Sequence, residues 1–224
     1  MAELVIRADN LGIPHGFLDA AQSDAHDLAL AVGERPVVFV KQVHSALALP
    51  VDAPFAEGSR PEVDATATAT PGLALAIVTA DCAPVLLADT AAGVIGAAHA
   101  GWRGAQGGVI AAVVAEMQAL GARPQAIAAA IGPTIALDSY EVGADMRANF
   151  ATGDHDLFRA SGPDKWHFDL ESYVARQLEA AGVGSISALG LDTYADPSRF
   201  HSYRRATHLG QSTRGRQISL IALP

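Results

Sequence analysis

The only cysteine of this 224-residue chain, Cys82 in TADCAPV, lies at the edge of one apolar run; two histidines, His44 in KQVHS and His99 in AAHAGWRG, lie at the edges of two others. A single thiol cannot form a disulfide within the chain, so no internal cross-link fixes the fold. Two imidazoles and one thiolate are a three-ligand set that leaves a fourth tetrahedral position open, as in catalytic zinc sites. Their spacing is far too long for a compact zinc finger. A fold that uses them together must bring the ends of three distant segments to one point. Singly, each has a plainer reading, since a lone histidine beside a strand is commonly structural and a free cysteine is a small buried hydrophobe. Together, beside turn-forming residues, they mark a place where a sheet edge meets a cleft.

Half of the chain is hydrophobic, enough to bury a substantial core, and its length is most economically one domain over residues 1–224. Fifteen basic residues against 24 acidic ones give a formal net charge of −9, which offers no general attraction to nucleic acid or to anionic membrane. The N-terminal MAELVIRADN lacks the basic-then-apolar layout of a secretory signal, and no apolar run approaches the roughly 18 to 20 residues of a membrane span. A soluble cytoplasmic protein in a reducing compartment is the expectation.

Residues 36–43, PVVFVKQV, read as a strand delivering His44 at its end. Residues 54–61 read as a surface loop. Leu73–Thr79 and Val85–Leu87 are strand-length runs interrupted by 80–84, and Pro84 predicts that Cys82 sits on a bend. Val94–Ala98 reads as a buried strand, followed by a turn crowded with Gly101, Gly104, Gly107 and Gly108. Next comes a helix carrying Ile110, Val113, Val114, Met117 and Leu120, with Gly121 as its C-cap. Further expectations are a strand at Ile127–Ile131, a helix over Leu170–Ala181 capped by Asp169, and a terminal strand at Ile218–Leu223. The mixture is one of α/β type.

In order along the chain, KQVHS, DATATATPGLALAIVTADCAPVLLAD, IGAAHAGWRG, IGPTIALDSYEVG and SYRR followed by GRQ resemble the laccase-domain, or YfiH-like, family, also called multicopper polyphenol oxidase-like. The resemblance spans about residues 36 to 221. It implies an α/β (α+β) mixed-sheet sandwich with helices outside, and purine nucleoside phosphorylase and adenosine deaminase activity on purine nucleoside and phosphate. It also implies that His44, Cys82 and His99 bind a catalytic Zn2+. Zinc with three protein ligands lowers the pKa of bound water towards about 7, which suits loss of ammonia from adenosine.

Other residues carry weaker signals. Gly101–Trp102–Arg103–Gly104 leads into a helix, so Arg103 and free amides offer an anion site, although the glycines also serve a tight turn. Arg204–Arg205 and Arg214–Gly215–Arg216 form a second basic cluster, suited to an anion or to pairing with local carboxylates. Asp81 is the candidate for proton transfer or for orienting the site. Asp64 has a lesser claim and reads as a residue that caps or orders a loop. Trp102 suits a base or the core edge. His15, His26, His155, His167, His201 and His208 read as surface or structural.

The chain departs from the family pattern in three places. HGFLDAAQSDAHDLALAVG lacks the arginine and paired glycines usual after HGF, Ala206 stands where an acidic residue usually follows the arginine pair, and the Pro133–Tyr140 interval is long. The metal triad is untouched by these changes, while the substrate pocket is affected. Alternatives are a cysteine hydrolase with Cys82 as nucleophile, a zinc hydrolase of cell-wall precursor peptides, a copper phenol oxidase, and a non-enzymatic binding domain. The eight histidines are mostly scattered, which weighs against several coppers.

Overall fold

The computed structural model describes residues 5–56 and 58–224; the first four residues of the N-terminal segment and Glu57 of the expected 54–61 loop lie outside it. In chain order the strands are β1 (His15–Phe17), β2 (Val37–Val38), β3 (Ala48–Pro50), β4 (Ala65–Thr68), β5 (Ala74–Thr79), β6 (Ala83–Asp89), β7 (Val94–Ala100), β8 (Ala128–Ile131), β9 (Glu141–Gly143), β10 (Phe158–Gly162), β11 (Lys165–Phe168), β12 (Ser185–Ala188) and β13 (Gln217–Ala222). The helices are α1 (Ala20–Asp24), α2 (Ala29–Val32), α3 (Trp102–Gly107), α4 (Val109–Ala119), α5 (Ala144–Arg147), α6 (Leu170–Ala180) and α7 (Tyr203–His208).

A six-stranded sheet in the order β12-β8-β6-β7-β4-β3 forms the centre, with parallel pairs at both edges and antiparallel pairs between. One of its faces supports α4 and α6, through Val85 and Leu87 of β6 against Val113, Met117, Val174 and Leu178. From the other face Leu86, Ala88, Ile95 and Ala97 meet Leu75, Ile77 and Ile221 of a second, four-stranded sheet ordered β1-β13-β5-β2. The outer side of that second sheet is covered by Ala31 and Val32 of α2. Because β6 and β7 are buried on both faces, they read as continuous apolar runs without alternation. The result is the mixed-sheet sandwich with helices outside. A third sheet, β10-β11-β9, is hydrogen-bonded separately and packs Val142, Phe158 and Phe168 into the core beneath α4 and α6.

Two expected elements differ in ways that bear on the site. The strand expected over 36–43 is confined to Val37–Val38. Further along, the Gln42 side chain takes the Val78 N–H at 2.9 Å and donates to the Val78 carbonyl at 2.7 Å, occupying the edge of β5 that a continuing strand would need. His44 therefore arrives on a loop, with φ at +62°. The second difference is the glycine-rich turn: residues 102–107 are helical, and the chain breaks only at Gly108, whose φ is +100°.

Elsewhere the shifts are small. Strand β6 begins at Ala83 and takes in Pro84, which is tolerated because pairing with β8 starts one residue later, at Val85. Strand β7 runs on to Ala100, so His99 lies within it. Helix α6 is capped by Asp169 as expected, the carboxylate accepting from the Ser172 N–H.

Candidate metal centre

The ends of β5, β6 and β7 and the loop after Gln42 surround a cleft of about 700 Å3, and His44, Cys82 and His99 line it. The ligating atoms of these three side chains all lie within 4.8 Å of one another. Cys82 Sγ is 3.8 Å from His44 Nε2, and the two imidazole rings meet edge to face, with centroids 4.7 Å apart. Tetrahedral bonds of about 2.0 Å to nitrogen and 2.3 Å to sulfur set ligand atoms roughly 3.5 Å apart, so the set fits a zinc-sized cation. His99 is buried, Cys82 is partly buried and His44 is exposed. The group is therefore open to solvent on the His44 side.

The loop and the buried histidine are held by one carboxylate. Asp64, fully buried at the start of β4, accepts from His99 Nδ1 at 2.8 Å and from the backbone N–H groups of Val43, His44 and Ser45 at 3.1, 2.9 and 2.6 Å. The Ser45 hydroxyl adds a further donor at 2.8 Å. An ionised carboxylate only accepts, so His99 Nδ1 carries the proton and Nε2 is left to bind. Burial works against the charge on Asp64, but these donors outweigh it and hold the carboxyl well below the usual range.

The thiol and the buried imidazole perturb each other. Burial opposes ionisation of Cys82, yet His44 and His99 overcome it and bring the thiol down to about 6. Burial likewise opposes charge on His99, while Asp64 and then Cys82 raise it to about 9. Thiol and imidazole thus favour each other's charged forms, and a divalent metal would take the place of the proton between them.

Glycine is required where α3 meets this group. A Cβ on Gly101 would stand 2.8 Å from His44 Cδ2 and 2.9 Å from Cys82 Sγ, and one on Gly104 would stand 2.9 Å from the Ser45 carbonyl. The HAGWRG glycines thus let the helix close over the triad.

Asp81 also lines the cleft, with φ at +85°. Its carboxylate accepts from Thr193 Oγ1 at 2.6 Å and from the Arg204 backbone N–H at 2.7 Å, tying the Cys82 bend to the first turn of α7. Arg103 lines the cleft with its guanidinium 4.4 Å from the Trp102 ring centre. Because α3 has only six residues, the positive charge here comes from guanidinium groups and not from a long helix dipole. The second basic cluster divides: Arg204 and Arg216 line the cleft, whereas Arg205 donates to the carbonyls of Thr193, Tyr194 and Phe200 and is structural. Among the described residues Arg103, Arg204 and Arg216 have no ion-pair partner.

Trp102 serves both readings, lining the cleft and packing 6.2 Å from Phe150. Of the remaining histidines, His15 is buried and hydrogen-bonded to the backbone of Ala8 and Ile13, His201 pairs with Asp24, and His208 meets Tyr194. The sequence gives no site role to Tyr140 or Phe39, reads Gly101 only as part of a turn or anion loop, and leaves Asp64 a lesser claim than the structure supports. The one available signal for Asp64 was an acidic residue opening an otherwise uncharged strand.

Residues 19–224 match the multi-copper polyphenol oxidoreductase laccase family. The chain belongs to this family. A relative from Deinococcus radiodurans named purine nucleoside phosphorylase is 41% identical over an alignment 255 positions long, gaps included, covering 98% of this chain and 93% of that protein. Another of that name, from Streptomyces coelicolor, is 40% identical and covers 90% of this chain and 84% of its own. The crystal structure of YfiH from Bacillus licheniformis superposes with a TM-score of 0.77 at 27% identity, over 91% of this chain and 79% of that one. The laccase name notwithstanding, His44, Cys82 and His99 are the one group of three or more such side chains, among the described residues, placed to hold a metal.

Proposed function

We propose that this chain is a zinc-dependent purine nucleoside enzyme, cleaving nucleosides with phosphate and removing the amino group of adenosine, and that residues 1–224 act as one cytoplasmic unit. The observation that carries this reading is the His44–Cys82–His99 group opening into a cleft large enough for a nucleoside. That cleft is walled by aromatic rings and carries arginines without ion-pair partners among the described residues. The names of the relatives support phosphorolysis. Deamination is supported by the donor set, whose open fourth position suits hydrolytic zinc chemistry.

Zinc held by His44, Cys82 and His99 would supply Lewis acidity at the reacting end of the cleft. The rings of Trp102, Tyr140 and Phe39 offer flat surfaces for a purine. Arg103 and Arg204 are the contacts for phosphate, whose oxygen attacks the anomeric carbon as the bond to the base nitrogen breaks. The electron pair of that bond leaves with the base, which then takes up a proton. Asp81 acts through Arg204: both carboxylate oxygens are occupied by donors, which suits an anchor for α7 better than a proton carrier. Thr193 completes that anchor.

A second reading has a specific observation behind it. Cys82, with its thiol brought down to about 6 beside His44, has the makings of a nucleophile. Stoichiometric zinc on the purified protein would remove it from that role. To test the leading reading, metal-replete protein is incubated with adenosine, inosine and guanosine, with and without phosphate, and products are separated by chromatography. Free base and ribose 1-phosphate that appear only with phosphate, and inosine formed from adenosine, are expected. No turnover of any nucleoside would contradict it.

A further inference from the structure

Tyr140 is a cleft residue with no part in the scheme above beyond its ring. It follows a short 3-10 turn, Leu137–Ser139, and its backbone carbonyl accepts from the Phe168 N–H at 3.0 Å. The ring packs 6.0 Å from Phe168, and the Arg204 guanidinium stands 5.3 Å from its centre. Arg204 is itself held in place, donating through Nη1 to the Glu141 carbonyl at 2.7 Å. Ring and guanidinium are therefore fixed relative to each other. The phenol hydroxyl makes no hydrogen bond within the described residues.

The surroundings of that hydroxyl are specific. Burial and then the Cys82 thiolate push its ionisation above the ordinary phenol range, and Arg204, Asp81 and Arg103 are the other charges that bear on it. The phenol is thus a neutral donor beside two guanidinium groups that lack carboxylate partners among the described residues. The Asp81 carboxylate accepts from Thr193 and Arg204, and among the described residues no hydrogen bond joins it to the phenol. Cys82 is engaged with His44. Three donors that line one cleft, with no carboxylate bonded to any of their side chains among the described residues, suit an anion.

We infer that the Tyr140 hydroxyl donates to inorganic phosphate and, with Arg103 and Arg204, forms the phosphate subsite of the cleft. The inference rests on the phosphorolytic reading and adds the residue that sets phosphate affinity. Tyr140→Phe keeps the ring packing and removes only the donor.

The test is initial-rate kinetics on the metal-replete wild type and Tyr140→Phe, varying phosphate at saturating inosine and then inosine at saturating phosphate. Calorimetric titration of both proteins with inorganic phosphate alone accompanies it. The KM for phosphate should rise about tenfold in Tyr140→Phe, the size expected for one lost hydrogen bond to a charged group, while the KM for inosine changes less than about twofold. Phosphate affinity by calorimetry should fall by the same factor. An unchanged phosphate KM, or a rise in the inosine KM instead, would overturn the inference while leaving phosphorolysis standing. A wild type with no phosphate-dependent turnover would remove the functional reading, and the calorimetric comparison would then decide the subsite alone: equal phosphate binding by the two proteins, or none by either, overturns it.

Discussion

Asp64 Oδ1 lies 2.8 Å from His99 Nδ1, and the same carboxylate gathers the backbone amides on both sides of His44. One buried anion therefore orients one imidazole of the candidate metal centre and shapes the loop that presents the other. That loop holds His44 in the left-handed region, at φ +62°, a conformation that a side chain adopts only when its surroundings compensate.

Replacing Asp64 should affect metal affinity and stability together. Asp64→Asn retains the shape but not the charge, and zinc affinity measured by chelator competition should fall about 10- to 100-fold. Asp64→Ala should cost on the order of 3 kcal/mol in denaturant unfolding, because the buried donors lose their anion. The sign with pH follows from the carboxyl being held below its ordinary range. The stabilisation is full above the unfolded-state value and is lost as pH falls through the depressed folded value. The variant's acid unfolding limb should therefore be flatter than that of the wild type.

Gly101→Ala should abolish metal binding with little loss of fold. The φ of Gly101 is −69°, so the backbone accepts alanine without strain. The added Cβ meets the ligand side chains themselves, at 2.8 and 2.9 Å. Circular dichroism should match the wild type while elemental analysis finds the variant depleted. Full metal content in Gly101→Ala would show that the triad can open without consequence.

Alkylation separates the two roles open to Cys82. In metal-stripped protein the iodoacetamide rate should rise through a midpoint near 6, where the thiol titrates beside His44 and His99. Zinc should suppress the reaction across the whole range. A midpoint near that of an ordinary thiol, about 8.5, would mean that the imidazoles do not act on the sulfur.

Asp89, at the far end of β6, offers a stability test remote from the site. Its buried carboxylate accepts from the N–H groups of Ala92 and Arg123 at 3.0 Å each, and although burial works against its charge these bonds hold it below the ordinary range. Asp89→Ala should lower stability by about 1 to 3 kcal/mol and leave zinc stoichiometry unchanged. The stabilisation is present above the unfolded carboxylate value and lost as pH falls through the folded one.

Much of this architecture is legible from the residues because the central strands are buried on both faces. Apolar runs such as those of β5, β6 and β7 announce themselves without any knowledge of neighbours. Asp169 and Gly121 likewise mark helix ends through local chemistry. What escaped detection depends on contacts between distant segments. Gln42 ends β2 by bonding to Val78, and no local pattern reveals a side chain replacing a strand. Asp64 looks like any polar residue before a strand until the His44 loop and His99 are folded around it. Tyr140 reaches the cleft only because β9, β11 and α7 bring it there. The grouping of the triad was suggested by the single cysteine, by the turn-forming residues beside each member and by the family resemblance, since six further histidines gave no such pattern.

The most direct measurement is the metal content of the purified protein, set against His99→Ala and Cys82→Ser. Together with an X-ray absorption spectrum, it reports how many ions are held and by which atoms. One zinc per chain, with two nitrogen neighbours and one sulfur neighbour in the wild type and loss of the ion in both variants, is the expected result. A folded wild type that holds no metal after exposure to zinc, or that holds it equally well without His99 and Cys82, would contradict the account.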